Sequence, residues 1–154
     1  MSDIIRKATL DDIEDLLKIE NECFVDPWKR KDLDYELMEN PINEVLVLEK
    51  DMKLIGFIDY MITFNSATIS QIAILPPYRG KGYARSLLDA MEKSFPKDDI
   101  DNVVETITLE VRVSNEKAIN LYEKNGYEKV TIKPKYYSNG EDALYMVKRL
   151  LVCQ

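Results

Sequence analysis

Arg79-Gly80-Lys81-Gly82-Tyr83-Ala84-Arg85 joins a strand-like run, Thr68 to Leu75, to a segment in which Ala84, Leu87, Leu88 and Met91 recur at i, i+3, i+4 and i+7. That spacing predicts a helix with one core face, ending at Pro96. A glycine-containing loop between a strand and a helix places successive backbone N–H groups and a helix N-terminus where a phosphate can be cradled. Glycine permits close backbone approach, and Arg79, Lys81 and Arg85 add positive charge. A Walker A loop is excluded because no Gly-Lys-Ser/Thr follows. A Rossmann loop is excluded because position 85, where a third Gly or Ala belongs, is arginine. A basic loop that only starts a helix remains open on these residues alone.

Working outward, Ile4 to Ala8 reads as a short strand. Thr9 with Asp12 three residues on is a capping-box variant that starts a first helix carrying Ile13, Leu16 and Leu17. Asp26-Pro27-Trp28 interrupts it, and Pro27 is placed to begin a second short helix with Trp28, Leu33 and Leu37. Glu44–Glu49, Leu54–Thr63 and Thr68–Leu75 read as an antiparallel meander, with Lys50 to Lys53 and Asn65-Ser66 as turns. Thr106 to Val113 alternates Ile107, Leu109, Val111 and Val113 with Thr106, Thr108, Glu110 and Arg112, which puts Glu110 on the polar face of a half-buried strand. Ser114 caps a helix with Ala118, Leu121 and Tyr122 that Asn125-Gly126 closes. Strands Lys129–Tyr137 and Asp142–Leu150 flank a Ser138-Asn139-Gly140 turn. The order β-α-α-β-β-β-α-β-α-β-β predicts one α/β domain over residues 1–154, helices flanking a mixed, predominantly antiparallel sheet.

Composition narrows the chemistry. Among 154 residues, 21 Lys+Arg stand against 28 Asp+Glu, a net charge of −7, and there is no histidine. The missing imidazole excludes Ser-His-Asp and Cys-His catalysis and HExxH zinc sites, so any acid or base is Glu, Asp, Tyr, Lys or Cys. Net acidity argues against nucleic acid as the partner and suits a basic protein substrate. Cys23 and Cys153 have no CxxC spacing; Cys23 reads as a small buried hydrophobe, Cys153 as incidental, and no metal site is expected. The N-terminus has no apolar leader and no stretch approaches a membrane span, so a soluble cytoplasmic protein, monomer or weak dimer, is expected.

The loop, taken with the element order, resembles that of the GNAT superfamily of acyl-CoA-dependent N-acyltransferases, in the pattern Arg/Gln-x-x-Gly-x-Gly/Ala matched by Arg79, Gly82 and Ala84. Cys23-Phe24-Val25-Asp26-Pro27-Trp28, Leu109 to Asn115, Ala118 to Glu123, and Lys135-Tyr136-Tyr137 with Gly140 to Ala143 resemble the ribosomal-protein-alanine N-acetyltransferases of bacteria. The likeness spans nearly the whole chain. It implies acetyl-CoA as cosubstrate, with the backbone of Arg79, Gly80, Lys81, Gly82, Tyr83, Ala84 and Arg85 on its pyrophosphate. Ile72, Ala73 and Ile74 pair with the pantetheine arm, and Asn115 contacts CoA. It further implies Glu110 as general base and Tyr122 as general acid. The acceptor implied is a protein N-terminus, that of a small-subunit ribosomal protein beginning with alanine, with Tyr136 and Tyr137 over the entering peptide.

These roles suit the chemistry. An α-amine with a pKa near 8 is roughly 10% neutral at pH 7, whereas a lysine is below about 0.1%, so a carboxylate base fits the former better. Plainer readings stand beside them. Glu110 is otherwise a solvated or Arg112-paired carboxylate, Tyr122 a packing residue and Asn115 a helix-start residue. Trp28 is a core anchor or a groove wall; Tyr136 and Tyr137 are sheet-edge packing or a lid. Acetylation of a small amine, or CoA binding without turnover, are the competing functions.

Overall fold

The computed structural model describes residues 3–96 and 103–150. Seven strands, β1 (Asp3–Lys7), β2 (Asn43–Lys50), β3 (Lys53–Thr63), β4 (Ser66–Ile74), β5 (Thr106–Arg112), β6 (Glu128–Lys133) and β7 (Ala143–Arg149), alternate with helices α1 (Ile13–Cys23), α2 (Arg30–Asp34), α3 (Tyr83–Ser94) and α4 (Glu116–Lys124). The hydrogen-bonded order is β1-β2-β3-β4-β5-β7-β6. β1 with β2, β2 with β3, β5 with β7 and β6 with β7 run antiparallel, while β4 with β5 is parallel. The expected element order and mixed, mostly antiparallel sheet are both found.

The chain clusters into two compact units, one of residues 1–61 with 71–95 and one of residues 62–70 with 96–154. In the first, Leu16, Ile19, Leu33, Val45, Val47 and Phe57 form a buried core with Leu54, Ala73 and Leu75. β3 is buried on both faces from Leu54 to Tyr60. Gly56 is needed there, because a Cβ would lie 2.5 Å from Ile74 Cδ1 and 2.6 Å from the Ala73 carbonyl oxygen. Thr9 caps the first turn as expected, its N–H donating to Asp12 Oδ2 at 2.7 Å. Arg6 on β1 then clamps that turn with two 2.8 Å bonds to Asp12.

In the second unit β5 alternates as its sequence alternates, with Ile107, Leu109 and Val111 buried. β4 pairs with β5 only over Ser66–Thr68 and Thr106–Thr108. β5 pairs with β7 along its whole length, from Thr106 to Arg112.

Four local expectations are corrected. Pro27 does not open the second helix: α2 begins at Arg30 behind Lys29, whose N–H donates to Asp32 Oδ2 at 2.9 Å. The strand expected to reach Tyr137 ends at Lys133, since Pro134 has no N–H to continue the ladder and Lys135 adopts a left-handed φ of 52°. Asn115, not Ser114, caps α4, accepting from the Ala118 N–H at 3.2 Å, because the Ser114 hydroxyl is taken by Glu141. Ser66 lies in β4 and not in the preceding turn.

Candidate functional site

The first unit carries the loop. Gly80 and Gly82 adopt φ of 78° and 88°, and space around both is open enough that a Cβ would meet nothing within 4 Å. Gly82 is the N-cap of α3, with no side chain capping it. Among the described residues, no N–H from Gly80 to Arg85 donates to another group. This is the donor set a pyrophosphate needs. The three cations differ in their engagement. Arg79 turns back, Nε donating to the Ile74 carbonyl at 2.8 Å, and so ties the loop to the end of β4. Arg85 lies 3.9 Å from Asp89, while Lys81 is exposed. Ile72, Ala73 and Ile74 lie beyond the last β4 residue that pairs with β5.

Trp28 also belongs to the first unit, partly buried against its core. Its backbone N–H donates to Glu20 Oε1 at 2.8 Å, and Gln71 Nε2 donates to the same oxygen at 3.2 Å. Glu20 is fully buried, and burial pushes its pKa up. It joins α1, the segment before α2, and β4. Cys23 is half-buried, its Sγ 3.6 Å from the Ile74 oxygen and 3.5 Å from Arg79 Nη2; burial pushes the thiol up, which suits a packing residue. Cys153 lies outside the described residues.

The second unit assembles the remaining candidates. Sheet register sets Glu110 of β5 opposite Tyr145 of β7, and Tyr145 opposite Thr131 of β6. Lys133, two residues beyond Thr131, shares that face. Its side chain reaches across β7, with Nζ 4.5 Å from the Tyr145 ring centroid and 5.8 Å from that of Tyr136, and donates to Glu110 Oε1 at 2.8 Å. Glu110 is therefore neither solvated alone nor paired with Arg112.

Arg112 serves the neighbouring turn. Its Nη1 donates at 3.1 Å to both Asn139 Oδ1 and Glu141 Oε1, and its guanidinium stacks 4.1 Å from the Tyr137 centroid. Glu141 Oε2 accepts from the Ser114 N–H at 3.1 Å, so one carboxylate links the β6–β7 turn to the start of α4. Tyr137 and Gly140 close the turn, the Gly140 N–H donating to the Tyr137 carbonyl at 2.9 Å. Tyr136 stands edge-on to Tyr137 at 5.0 Å and is half exposed. Burial, with Tyr136 beside it, pushes the Tyr137 phenol up to about 12.

Tyr122 is buried on α4, its ring 5.6 Å from Tyr127. Burial first, and Tyr137 second, push its phenol well above the usual tyrosine range. It therefore keeps its proton at neutral pH. Asn115 has spent its side-chain oxygen on the α4 cap, leaving its amide NH₂ as the group that can meet a ligand. Glu110, Tyr122, Asn115, Tyr136 and Tyr137 thus share one unit, while the loop, Ile72–Ile74 and Trp28 share the other.

Sequence reasoning missed Lys133, Tyr145 and Glu20. Lys133 and Tyr145 were legible in principle, since alternation from Glu110 across two antiparallel strands selects them once the register is known. Glu20 carried no such signal, because an acid on an acidic helix reads as solvated.

Among the described residues no three His, Cys, Asp or Glu side chains are arranged to hold a metal. None of the described helices is long and apolar enough to cross a membrane.

The sheet is mixed, a glycine loop with no side-chain cap opens α3 in the first unit, and the second unit holds a carboxylate, Glu110, and a buried phenol, Tyr122. Residues 13–127 match the acetyltransferase (GNAT) family, and the chain belongs to it. The chain is 40% identical over 144 residues, 92% of each sequence, to a putative [ribosomal protein bS18]-alanine N-acetyltransferase of Bacillus subtilis. It is 35% identical to an N-alpha-acetyltransferase of Saccharolobus solfataricus, over 95% of this chain and 92% of the relative. The crystal structure of the ribosomal-protein-S18-alanine N-acetyltransferase from Escherichia coli superposes with a TM-score of 0.84 at 29% identity, covering 99% of this chain and 97% of that one. The chain is an N-acetyltransferase, as the loop and the Glu110-to-Tyr122 segment led one to expect.

Proposed function

We propose that this protein transfers the acetyl group of acetyl-CoA to the α-amino group of a protein N-terminus, the favoured acceptor being a ribosomal protein that begins with alanine. The observation that carries this reading is that Glu110 holds an ammonium, that of Lys133, at 2.8 Å on an aromatic-lined sheet face. A carboxylate able to hold an alkylammonium there can hold an N-terminal one.

The residues fit acetyl-CoA. The free N–H groups from Gly80 to Arg85 receive the pyrophosphate, with the exposed Lys81 beside them, and Ile72–Ile74, past the end of the β5 pairing, offer main chain to the pantetheine arm, except the Ile74 carbonyl that Arg79 holds. When bound, acetyl-CoA supplies an activated acyl thioester. Glu110 accepts the proton that the amine loses on forming its new N–C bond. Tyr122, protonated at neutral pH as a tyrosine ordinarily is, donates its phenolic proton to the departing sulfur as the C–S bond breaks. No covalent enzyme intermediate is needed, in keeping with a sequence that holds no histidine to activate a nucleophile. Asn115 turns its free amide toward CoA. Tyr136 and Tyr137, on the Glu110 side of the second unit, meet the acceptor; Trp28 is a separate acceptor-contact candidate in the first unit, where it also packs on the core.

The names of the relatives support a protein N-terminus over a small amine. The test is thiol release from acetyl-CoA with peptides beginning Ala, Ser, Met and Lys, alongside free amines. Transfer concentrated on Ala- or Ser-starting peptides, and lowered about 100-fold or more by Glu110→Gln, is expected. Equal transfer to free amines overturns the acceptor, and an unimpaired Glu110→Gln enzyme overturns the base.

A further inference from the structure

We propose that Lys133 is a built-in occupant of the acceptor-ammonium site, a specificity-determining residue whose side chain the substrate amine must displace. This rests on the reading of Glu110 as the carboxylate that receives the acceptor. The Lys133 side chain and a protein N-terminus end in the same group, a primary ammonium. Three partners hold that group here: the Glu110 carboxylate at 2.8 Å, the Tyr145 ring at 4.5 Å and the Tyr136 ring at 5.8 Å. Both rings lie within the roughly 6 Å at which a cation is attracted to an aromatic face. A carboxylate with two rings is a receptor for an alkylammonium, and the chain fills it with its own.

The pair is built to open. The Lys133 side chain is 42% exposed and that of Glu110 18%, so solvent and an acceptor reach it from the Lys133 side. With the ammonium this exposed the pair is a weak one, a factor of about five in an equilibrium constant. Register fixes where Lys133 stands, on the strand that leads into the Tyr136-Tyr137 turn, so its long side chain can swing away without moving the sheet. Lys133 is an occupant and not an acceptor, because its bond to Glu110 pushes its pKa up and keeps the nitrogen protonated, without the lone pair that attack requires. Displacement makes the site selective. An acceptor that gains peptide contacts offsets the loss of the pair, whereas a small free amine has only its ammonium to offer.

The test compares Lys133→Met, which keeps the apolar stem and removes the charge, with Lys133→Arg, which keeps the charge. For an Ala-starting peptide, Lys133→Met is expected to lower KM about two- to fivefold and Lys133→Arg to leave it equal or raise it. KM for acetyl-CoA is expected to stay the same in both. Relative kcat/KM for a small alkylamine is expected to rise more than that for the peptide in Lys133→Met. A merely structural lysine predicts impaired variants and unchanged acceptor KM, and a lysine that binds the acceptor predicts a raised KM in Lys133→Met; either result overturns the proposal. Glu110→Gln separates the two levels: if it retains full kcat, the reading of Glu110 fails, and if it is inactive while Lys133→Met leaves acceptor KM unchanged, only the occupant fails.

Discussion

Asp59 lies on β3 at 1% exposure, in a strand buried on both faces, and beyond a weak approach by the Asn43 side chain neither carboxylate oxygen meets a donor. Burial is the main cause that pushes its pKa to about 8; Glu36 and Glu20 add to the rise, and Asn43 offsets part of it. Removing the charge by Asp59→Asn gives a sharp expectation. In the unfolded chain the carboxyl ionises near its ordinary value of 3.8, so between about pH 4 and 8 the folded protein holds a proton that the unfolded one has lost. Stability therefore falls as pH rises through this window, by up to about 1.4 kcal/mol per unit for this group. Between pH 5 and pH 7 wild type is expected to lose roughly 2–3 kcal/mol relative to Asp59→Asn, an order-of-magnitude figure that cancels contributions common to both proteins. For a chain of this size that is roughly 5–10 °C in relative Tm. Urea unfolding of both proteins at pH 5, 6 and 7 reads it directly. Parallel stability curves would refute the reasoning, for they would show that Asp59 ionises in the fold without penalty.

Three further outcomes are expected. Tyr122→Phe removes the proposed proton donor without changing the packed ring, so kcat is expected to fall about 10²-fold or more while KM for acetyl-CoA holds; an unchanged kcat removes Tyr122 from the proton path. Gly56→Ala drives a Cβ into Ile74 and the Ala73 carbonyl, so thermal unfolding should show a loss of about 1–3 kcal/mol, and KM for acetyl-CoA should rise as Ile72–Ile74 shift. Glu141→Ala removes the carboxylate shared by Arg112 and the Ser114 N–H, leaving Arg112 with Asn139 and the Tyr137 ring but cutting the link from the turn to the start of α4, so kcat/KM for peptide acceptors should drop about tenfold or more with little change in acetyl-CoA binding, read by steady-state kinetics and a binding titration.

What the sequence could and could not disclose follows from the range of the interactions involved. The α3 periodicity, the β5 alternation and the Asn125-Gly126 stop are short-range signals, and each is found; Gly126 takes φ of 94°, as a left-handed helix end requires. The errors fall where a distant residue outbid a local preference. Ser114 is as good a cap as Asn115 in isolation, but Glu141, 27 positions away, claims its hydroxyl and the next residue caps instead. Pro27 is a sound helix start until its neighbour Trp28 is seen to spend its N–H on Glu20, which leaves Lys29 to cap.

The same reasoning explains why the chemistry was half legible. Glu110 and Tyr122 stand in runs whose spacing is local, so their positions follow from one strand and one helix. Their environments do not. The ammonium on Glu110 comes from a strand that is not its neighbour in the sheet, across the intervening ring of Tyr145, and only the β5-β7-β6 order makes that reach possible. If Lys133 stood one position earlier or later on β6, alternation would turn it to the opposite face and Glu110 would lose its partner. The electrostatic state of the proposed base thus depends on strand order and register, two properties that no local reading of Thr106 to Val113 contains.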